Sequence, residues 1–543
     1  MEERKIHRLR WATGESVQVW VVDFGSKSTP LIAQQLREIG LKSCQMGVSQ
    51  FVTACKMRKL PNLIVLSGGD QSVYDPASPV LPPGLYPRLV RESVVLGICY
   101  GAQLMAKLAG GEVRKAKVGE YGVVELRLVE GNLIADYDGG RVVMNHGDEI
   151  ASLPEGWNLI GSTDACRYAL VASEREFAVQ FHPEMDHTEG GAALFEYIAY
   201  QVADCMSDYR FDPEMYVREA IDWLRGACPS GTVLCGVSGG VDSSVVYKLA
   251  EHAYGSRLRG IYIDHGWMRE GETDEVRAIF GDAQVSYVDA STLFHERIEA
   301  IPYLANGSHC ASEGQYFESV RKTMGAAFID AFVAEARRLG LADASALLQG
   351  TNAADIVESD AGLKSHHNVG GLPDRLHLDI IEPLAGLYKM EIRKLAEYLG
   401  LPNEIVFRQP FPGPGLALRA WGKLDRSFAA PLSKANRILE EVMRKHVPDP
   451  RDRPCQYYVA LAPLPTTGLM GDKRVIGYLW LKRFVWSDAR ESYASLDVRD
   501  MRREFTAELD HRLVTEVTMQ DGTRFVGCAY VTTGKPPSTT EPH

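Results

Sequence analysis

A chain of 543 residues exceeds what one hydrophobic core usually serves, so roughly two to four domains are expected. Hydrophobic residues at 45% and charged residues at 24% exclude disordered, fibrous and membrane classes, and a net charge of -12 gives no overall attraction to nucleic acid or anionic lipid. The opening MEERKIHRLRWATGES is too charged for a signal peptide and no run of about 18 apolar residues occurs, so the expected location is the cytoplasm, with no membrane and no nucleic acid as partner.

The first predicted strand, VQVWVVDFG from Val17, ends in a turn and is followed by an amphipathic stretch from Pro30 to Ile39. The same beat recurs at Asn62–Leu66, which runs into SGG, and at Val94–Ile98, which runs into CYG. A helical pattern follows Glu184 as far as Met206, and the polar SDYRFDP reads as a linker. A second alternating unit opens with TVLCGV at Thr232, continues through RGIYID to Asp264, and includes ALLQGT near Leu347. The stretch QPFPGPG, Gln409–Gly415, cannot be helix interior and marks a boundary. The reading is therefore two doubly wound α/β domains, 16–206 and 207–417, with a smaller α+β unit over 418–543. Ten scattered cysteines without a C-x-x-C pair suggest neither a disulfide framework nor a zinc site.

In LGICYGAQL a β-run ends at Cys99 where a helix begins, which sets a thiol on a sharp strand-to-helix turn. A helix N-terminus favours thiolate, and the backbone N–H of Tyr100 points to where a tetrahedral oxyanion would form. Farther along, AVQFHPEM presents His182 and Glu184 two residues apart, read as one face of an extended segment, so that one serves as base and the other orients it. With these residues the chain resembles the class I glutamine amidotransferases. The resemblance implies that Cys99 attacks the glutamine carboxamide to give a thioester and ammonia, with His182 and Glu184 completing the triad. It also implies a second oxyanion donor at Gly68 and Gly69, and glutamine-binding positions at Gln103 and in NHGD: Asn145, His146, Gly147 and Asp148.

The strand TVLCGV runs into SGGVDSS and then an apolar-periodic helix. Glycines there let successive N–H groups face one anion while the serine hydroxyls add donors, and Asp242 suits a magnesium ligand beside it. The loop, Ser238, Gly239, Gly240, Val241, Asp242, Ser243 and Ser244, resembles the pyrophosphatase type of ATP site, which cleaves ATP to AMP and pyrophosphate. Asp264, Gly350, Asp355 and Lys364 fall where such a site would need them. The paired histidines of KSHHNVGGLP lack a third metal ligand at suitable spacing and read as packing or hydrogen-bonding residues.

Together with EPLAGLYKMEIR, PFPGPGLALR, GLMGDKR and GKPPSTTE, this order makes almost the whole chain resemble the glutamine-hydrolysing GMP synthetases. The resemblance implies XMP, ATP and glutamine as substrates, Mg, a homodimer built through the C-terminal unit, and acceptor contacts at Arg321, Gln456, Asp472, Lys535, Thr539 and Glu541. Departures gather on the acceptor side. Pro465 and Thr466 stand where the family has a basic residue, Arg524 is out of register with Lys535, the ending is Thr540–His543, and His265 replaces an asparagine. Three readings stay open on these residues: XMP as acceptor, a modified purine nucleotide as acceptor, or a nucleotide-binding regulatory relative without amidation.

Overall fold

The computed structural model describes residues 5–9, 17–129, 134, 137–185, 187–303, 309–341, 343–360, 378–411, 413–454, 456–470, 473–485, 498–519, 523 and 525–530. Its first strand, β1 (Ile6–Arg8), belongs to a later unit and is taken up below. The first unit is a nine-stranded mixed sheet in the order β3-β2-β4-β5-β10-β9-β8-β6-β7. Its parallel part comprises β2 (Val19–Asp23), β3 (Ser43–Gly47), β4 (Leu63–Leu66) and β5 (Val94–Ile98), joined by β10 (Glu176–Val179). Runs such as VWVVD and LIVL are buried at every position, because helices cover both faces of a parallel sheet. The rest is antiparallel: β6 (Glu112–Leu128), β7 (Gly140–Ser152), β8 (Asn158–Ser162) and β9 (Leu170–Ala172).

The second sheet is wholly parallel, with β11 (Val233–Gly236), β12 (Leu258–Asp264), β13 (Val285–Asp289), β14 (Ala346–Leu348) and β15 (Asp379–Glu382) in the order β1-β15-β14-β11-β12-β13. From β11 the chain steps outward to β12 and β13, then returns to β14 on the other side. The strand order therefore reverses at β11, and in such sheets the crevice beyond the carboxyl end of that strand is where ligands bind. SGGVDSS leaves the sheet at that point.

The third unit packs helix Ala429–His446 and helix Val498–Glu516 with β16 (Gln456–Met470), β17 (Lys473–Val485) and β18 (Phe525–Tyr530). Trp480 and Phe525 stack inside it with ring centroids 4.0 Å apart. One apolar core runs from Ile261 and helix His309–Arg338 through Leu416–Leu418 into Leu439, Trp480 and Leu509. The described residues of QPFPGPG before Gly415 carry no helix, and a buried 3-10 turn over Gly415–Arg419 follows.

The first and second units meet around Arg37, at the end of helix Thr29–Glu38. Its guanidinium is buried, donates to the Gly386 and Ser43 carbonyls at 3.1 and 3.0 Å, and pairs with the buried Glu391 carboxylate. Tyr388 lies under the same guanidinium, 4.4 Å from the ring centroid, and packs into the core of the first unit. Tyr209, in the predicted linker, donates to Glu391 as well. A buried carboxylate left alone is costly, so Arg37→Ala is expected to destabilise the two-unit assembly by about 3–5 kcal/mol, read by urea unfolding.

Candidate functional site

Cys99 follows β5 directly and stands before helix Tyr100–Leu108 with φ 51° and ψ -105°. Positive φ is costly for a residue with a Cβ, so the thiol is presented by a strained turn that its surroundings hold in place. The Cys99 N–H donates to the Val179 carbonyl at 2.7 Å, and the Gly101 N–H to the Ser67 carbonyl at 3.0 Å. Gly101 has to be glycine, because a Cβ there would lie 2.2 Å from the Leu66 carbonyl oxygen. The elbow read from LGICYGAQL is thus a physical turn, locked to β4 and β10.

His182 and Glu184 come together, though not as alternating residues of a strand. β10 ends at Val179 and Pro183 cannot continue a ladder, so both residues sit in the turn beyond it. There Nδ1 of His182 meets Oε1 of Glu184 at 2.8 Å. Ser28, which the sequence reading passed over, donates to the same Oε1 at 2.6 Å, while the buried Oε2 has no hydrogen-bond partner among the described residues. Burial works against a charged imidazole, but the Glu184 carboxylate and the Cys99 sulfur outweigh it and hold His182 well above the ordinary histidine value. The SGG turn closes the other side: a Cβ on Gly68 would touch His182 at 3.3 Å, and one on Gly69 would touch Tyr100 at 3.2 Å. Gln103 donates to the Asp148 carbonyl at 2.9 Å and to Gln180 at 3.1 Å, and the Gln180 amide lies 3.6 Å from Sγ of Cys99. Gln180 was also missed, although its place two residues before His182 in AVQFHPEM was a signal.

The NHGD positions, on β7, divide. The Asn145 carbonyl lies 3.8 Å from the Cys99 sulfur, and Gly147 lies open beside the Tyr121 hydroxyl. Asp148 accepts from Ser72 and from Tyr74 at the surface. His146 is turned inward, with Nδ1 at the Asp148 carbonyl and Nε2 3.3 Å from Glu120. Glu120, His146 and Cys166 bring three potential ligand atoms within 4.8 Å of one another. Hydrogen bonds already occupy both Glu120 oxygens, through Thr163, and both His146 nitrogens, and burial pushes the Cys166 thiol up to about 12. The group is a structural network under the hairpin.

In the second unit the loop from Ser238 curls at Gly239, φ 74°, into helix Val241–Tyr254. Gly239 accepts no side chain, since a Cβ would press on Val276 at 2.6 Å. The hydroxyls of Ser243 and Ser244 both donate to the Gly240 carbonyl, at 3.0 and 2.8 Å, and Ser238 meets Ser243 at 2.9 Å. The hydroxyls expected to face an anion are thus spent on the loop itself, which they stiffen. Val241 is buried beneath. Asp242 is gripped by Lys389 at 2.8 and 2.9 Å, and Gly350 lies against it closely enough that a Cβ would come within 3.2 Å. Asp264, at the end of β12, caps its own turn through Gly266 and Thr273 at 2.9 and 2.7 Å. Asp355 accepts from the Asn352 N–H at 3.2 Å, at the start of a helix whose Ala353 packs on the first unit. Arg408, another residue passed over, donates to the Gly239 carbonyl at 2.8 Å.

On the acceptor side, Arg321 is buried on helix His309–Arg338 with Glu318 3.6 Å away and its Nη2 without a hydrogen-bond partner among the described residues. Gln456 opens β16 and is buried; Val320 on the Arg321 helix shares a core with Tyr457 beside Gln456. Lys364, Asp472, Lys535, Thr539 and Glu541 lie outside the described residues, as do the paired histidines and Arg524. His265 is packed between Phe294 and Phe328 and takes the Trp267 N–H at Nδ1, 3.2 Å. Burial pushes it down to about 4, so this departure is a neutral core residue.

The Glu184 carboxylate stabilises the imidazolium form of His182. In Glu184→Gln, His182 therefore loses its proton at lower pH, and the basic limb of kcat/KM for glutamine is expected to move down. An unmoved limb, measured as glutamate release against pH, would sink this assignment.

Residues 20–202 match the family model for class-I glutamine amidotransferases. The chain is 36% identical over 537 residues to the glutamine-hydrolysing GMP synthase of Clostridium botulinum (strain Alaska E43), covering 96% of this chain and 99% of that one. It is 37% identical over 543 residues to the enzyme of that name from Synechococcus sp., covering 96% of each. A solved glutamine amidotransferase from Thermotoga maritima is 21% identical, over 35% of this chain and 87% of that one, with a TM-score of 0.26. Identity above a third, sustained along nearly the whole of both chains, means that this protein belongs to the family of glutamine-hydrolysing GMP synthases.

Proposed function

We propose that the protein is a carbon–nitrogen ligase that converts XMP, ATP, glutamine and water to GMP, AMP, pyrophosphate and glutamate. The observation that carries this reading is the presence, in one chain of this family, of a strained cysteine elbow with a His182–Glu184 pair and a second anion-binding loop on a separate sheet. Cys99 attacks the glutamine carboxamide, His182 handles the proton, and ammonia leaves as the thioester forms. The N–H groups of Tyr100 and the Gly68–Gly69 turn are the oxyanion donors. In the second unit, an XMP oxygen attacks the α-phosphorus of ATP, pyrophosphate departs, and ammonia displaces AMP.

The residues around SGGVDSS fit a magnesium-bound triphosphate. Asp242 is a hard oxygen donor beside the loop, and both of its oxygens carry the Lys389 ammonium. Asp242 would hold the ion as Lys389 passed from it to the phosphates, whose charge the ion would screen. Arg321, whose buried Nη2 has no hydrogen-bond partner among the described residues, and Gln456 are our assigned acceptor contacts, joined by Asp472, Lys535, Thr539 and Glu541. We assign the dimer to the third unit, where Ile476 on β17 is 72% exposed. Among the described residues no helix is long and apolar enough to cross a membrane, and we place the enzyme in the cytoplasm.

A second reading takes a modified purine nucleotide as acceptor, on the departures from the family's pattern. One of them, Pro465, lies where the pairing of β16 with β17 shifts register between Ala462 and Thr466. Pyrophosphate release with ATP, Mg and glutamine over a panel of purine nucleotides tests the choice: turnover with XMP and formation of GMP is expected, and turnover with another nucleotide alone would overturn XMP. Cys99→Ala is expected to cut glutamine-supported GMP formation by at least about a thousand-fold and to leave ammonia-supported formation intact. Loss of both rates would mean that Cys99 serves the fold.

A further inference from the structure

The chain enters the second unit before it has formed the first. β1 (Ile6–Arg8) lies parallel on β15, at the edge of the second sheet, in the register Ile6–Ile380, His7–Ile381 and Arg8–Glu382. The Ile380 N–H donates to the Lys5 carbonyl at 3.0 Å and the Leu9 N–H to the Glu382 carbonyl at 3.2 Å. Side chains add to the ladder: Arg8 meets the buried Glu382 carboxylate at 2.6 Å, His7 lies 3.8 Å from Asp379, and Leu9 packs against the core of the second unit. Only eight chain steps separate Leu9 from Val17, next to β2 of the glutaminase unit, a reach of about 27 Å at full extension.

The glutaminase unit is therefore tied to the synthetase unit at both ends, through the SDYRFDP connector and through β1. The strand that β1 braces is no arbitrary edge. Beyond Glu382, β15 leads to Gly386, Tyr388 and Glu391, which hold Arg37 of the glutaminase unit, and to Lys389, which holds Asp242 of the pyrophosphate loop. Peeling β1 away would free one end of the glutaminase unit and unbrace the segment on which it docks.

We propose that β1 is an intramolecular clasp that keeps the glutaminase unit docked, so that ammonia released at Cys99 reaches the adenylated acceptor before it escapes to solvent. The clasp holds a high effective concentration of one unit against the other. It rests on the amidation reading above, and its test separates the two. Two variants of the full-length protein are needed: removal of residues 1–9, and His7→Pro, which takes a donor out of the ladder. Each is assayed for GMP formed per glutamate released, for the ammonia-supported rate, and for KM of glutamine.

The expected result is a fall in GMP per glutamate of about three-fold or more in both variants, with the ammonia-supported rate and the glutamine KM unchanged. An unchanged ratio in both would overturn the clasp. So would equal loss of the glutamine- and ammonia-supported rates, which would make β1 a mere edge strand of the synthetase sheet. Failure of the parent protein to make GMP from either nitrogen source would instead strike at the amidation reading.

Discussion

A parallel strand that passes straight into a helix leaves the first N–H groups of that helix without backbone partners, and both chemical centres are built on that surplus. At Cys99 the turn is tight enough to force a side-chain-bearing residue into positive φ, and at Gly239 a glycine accepts the same region freely. The strained position carries the Cys99 thiol and is held by hydrogen bonds to neighbouring strands. Gly239, one residue before the cap of its helix, carries nothing, because a Cβ there would press on Val276.

Much of this was legible before any coordinates, since strands such as VWVVD, LIVL and VLCG are buried on both faces and announce themselves as apolar runs. The elbow and the glycine loop were readable because glycine at a strand end has few explanations. The pairing of His182 with Glu184 was foreseen for the wrong reason. Alternation in a strand would have aligned them, whereas Pro183 ends the ladder and a turn folds one onto the other. Ser28, Lys389 and Arg408 were not legible as site residues, whereas Gln180 could have been read from its place beside His182. The first three reach partners 147 to 169 positions away in the chain, and local pattern carries no record of such distances. The placement of β1 was equally invisible, because three residues of strand are too few to show a period.

Charge at the seam between the first two units is arranged with unusual economy. Arg37 is taken out of water only where a carboxylate, two carbonyls and aromatic faces receive it, which is the condition under which a buried ion survives its desolvation cost. Elsewhere arginines crowd a cavity beside the third unit, Arg269, Arg408, Arg444 and Arg453, but Glu272, Glu275, Glu404 and Glu440 answer them. That cavity presents a balanced lattice of ion pairs to any solute.

The apolar core that passes from the second sheet into the third unit sets how the molecule comes apart. Leu439, Trp480 and Leu509 share one interior with Ile261 and Phe317, so neither part can shed its packing while the other keeps its own. The first unit has interiors of its own and meets its neighbour through the Arg37 cluster and through Tyr388, whose ring enters one of them. In calorimetry such a chain is expected to melt as two cooperative bodies, and the unit that could be moved onto a separate polypeptide with least loss is the first.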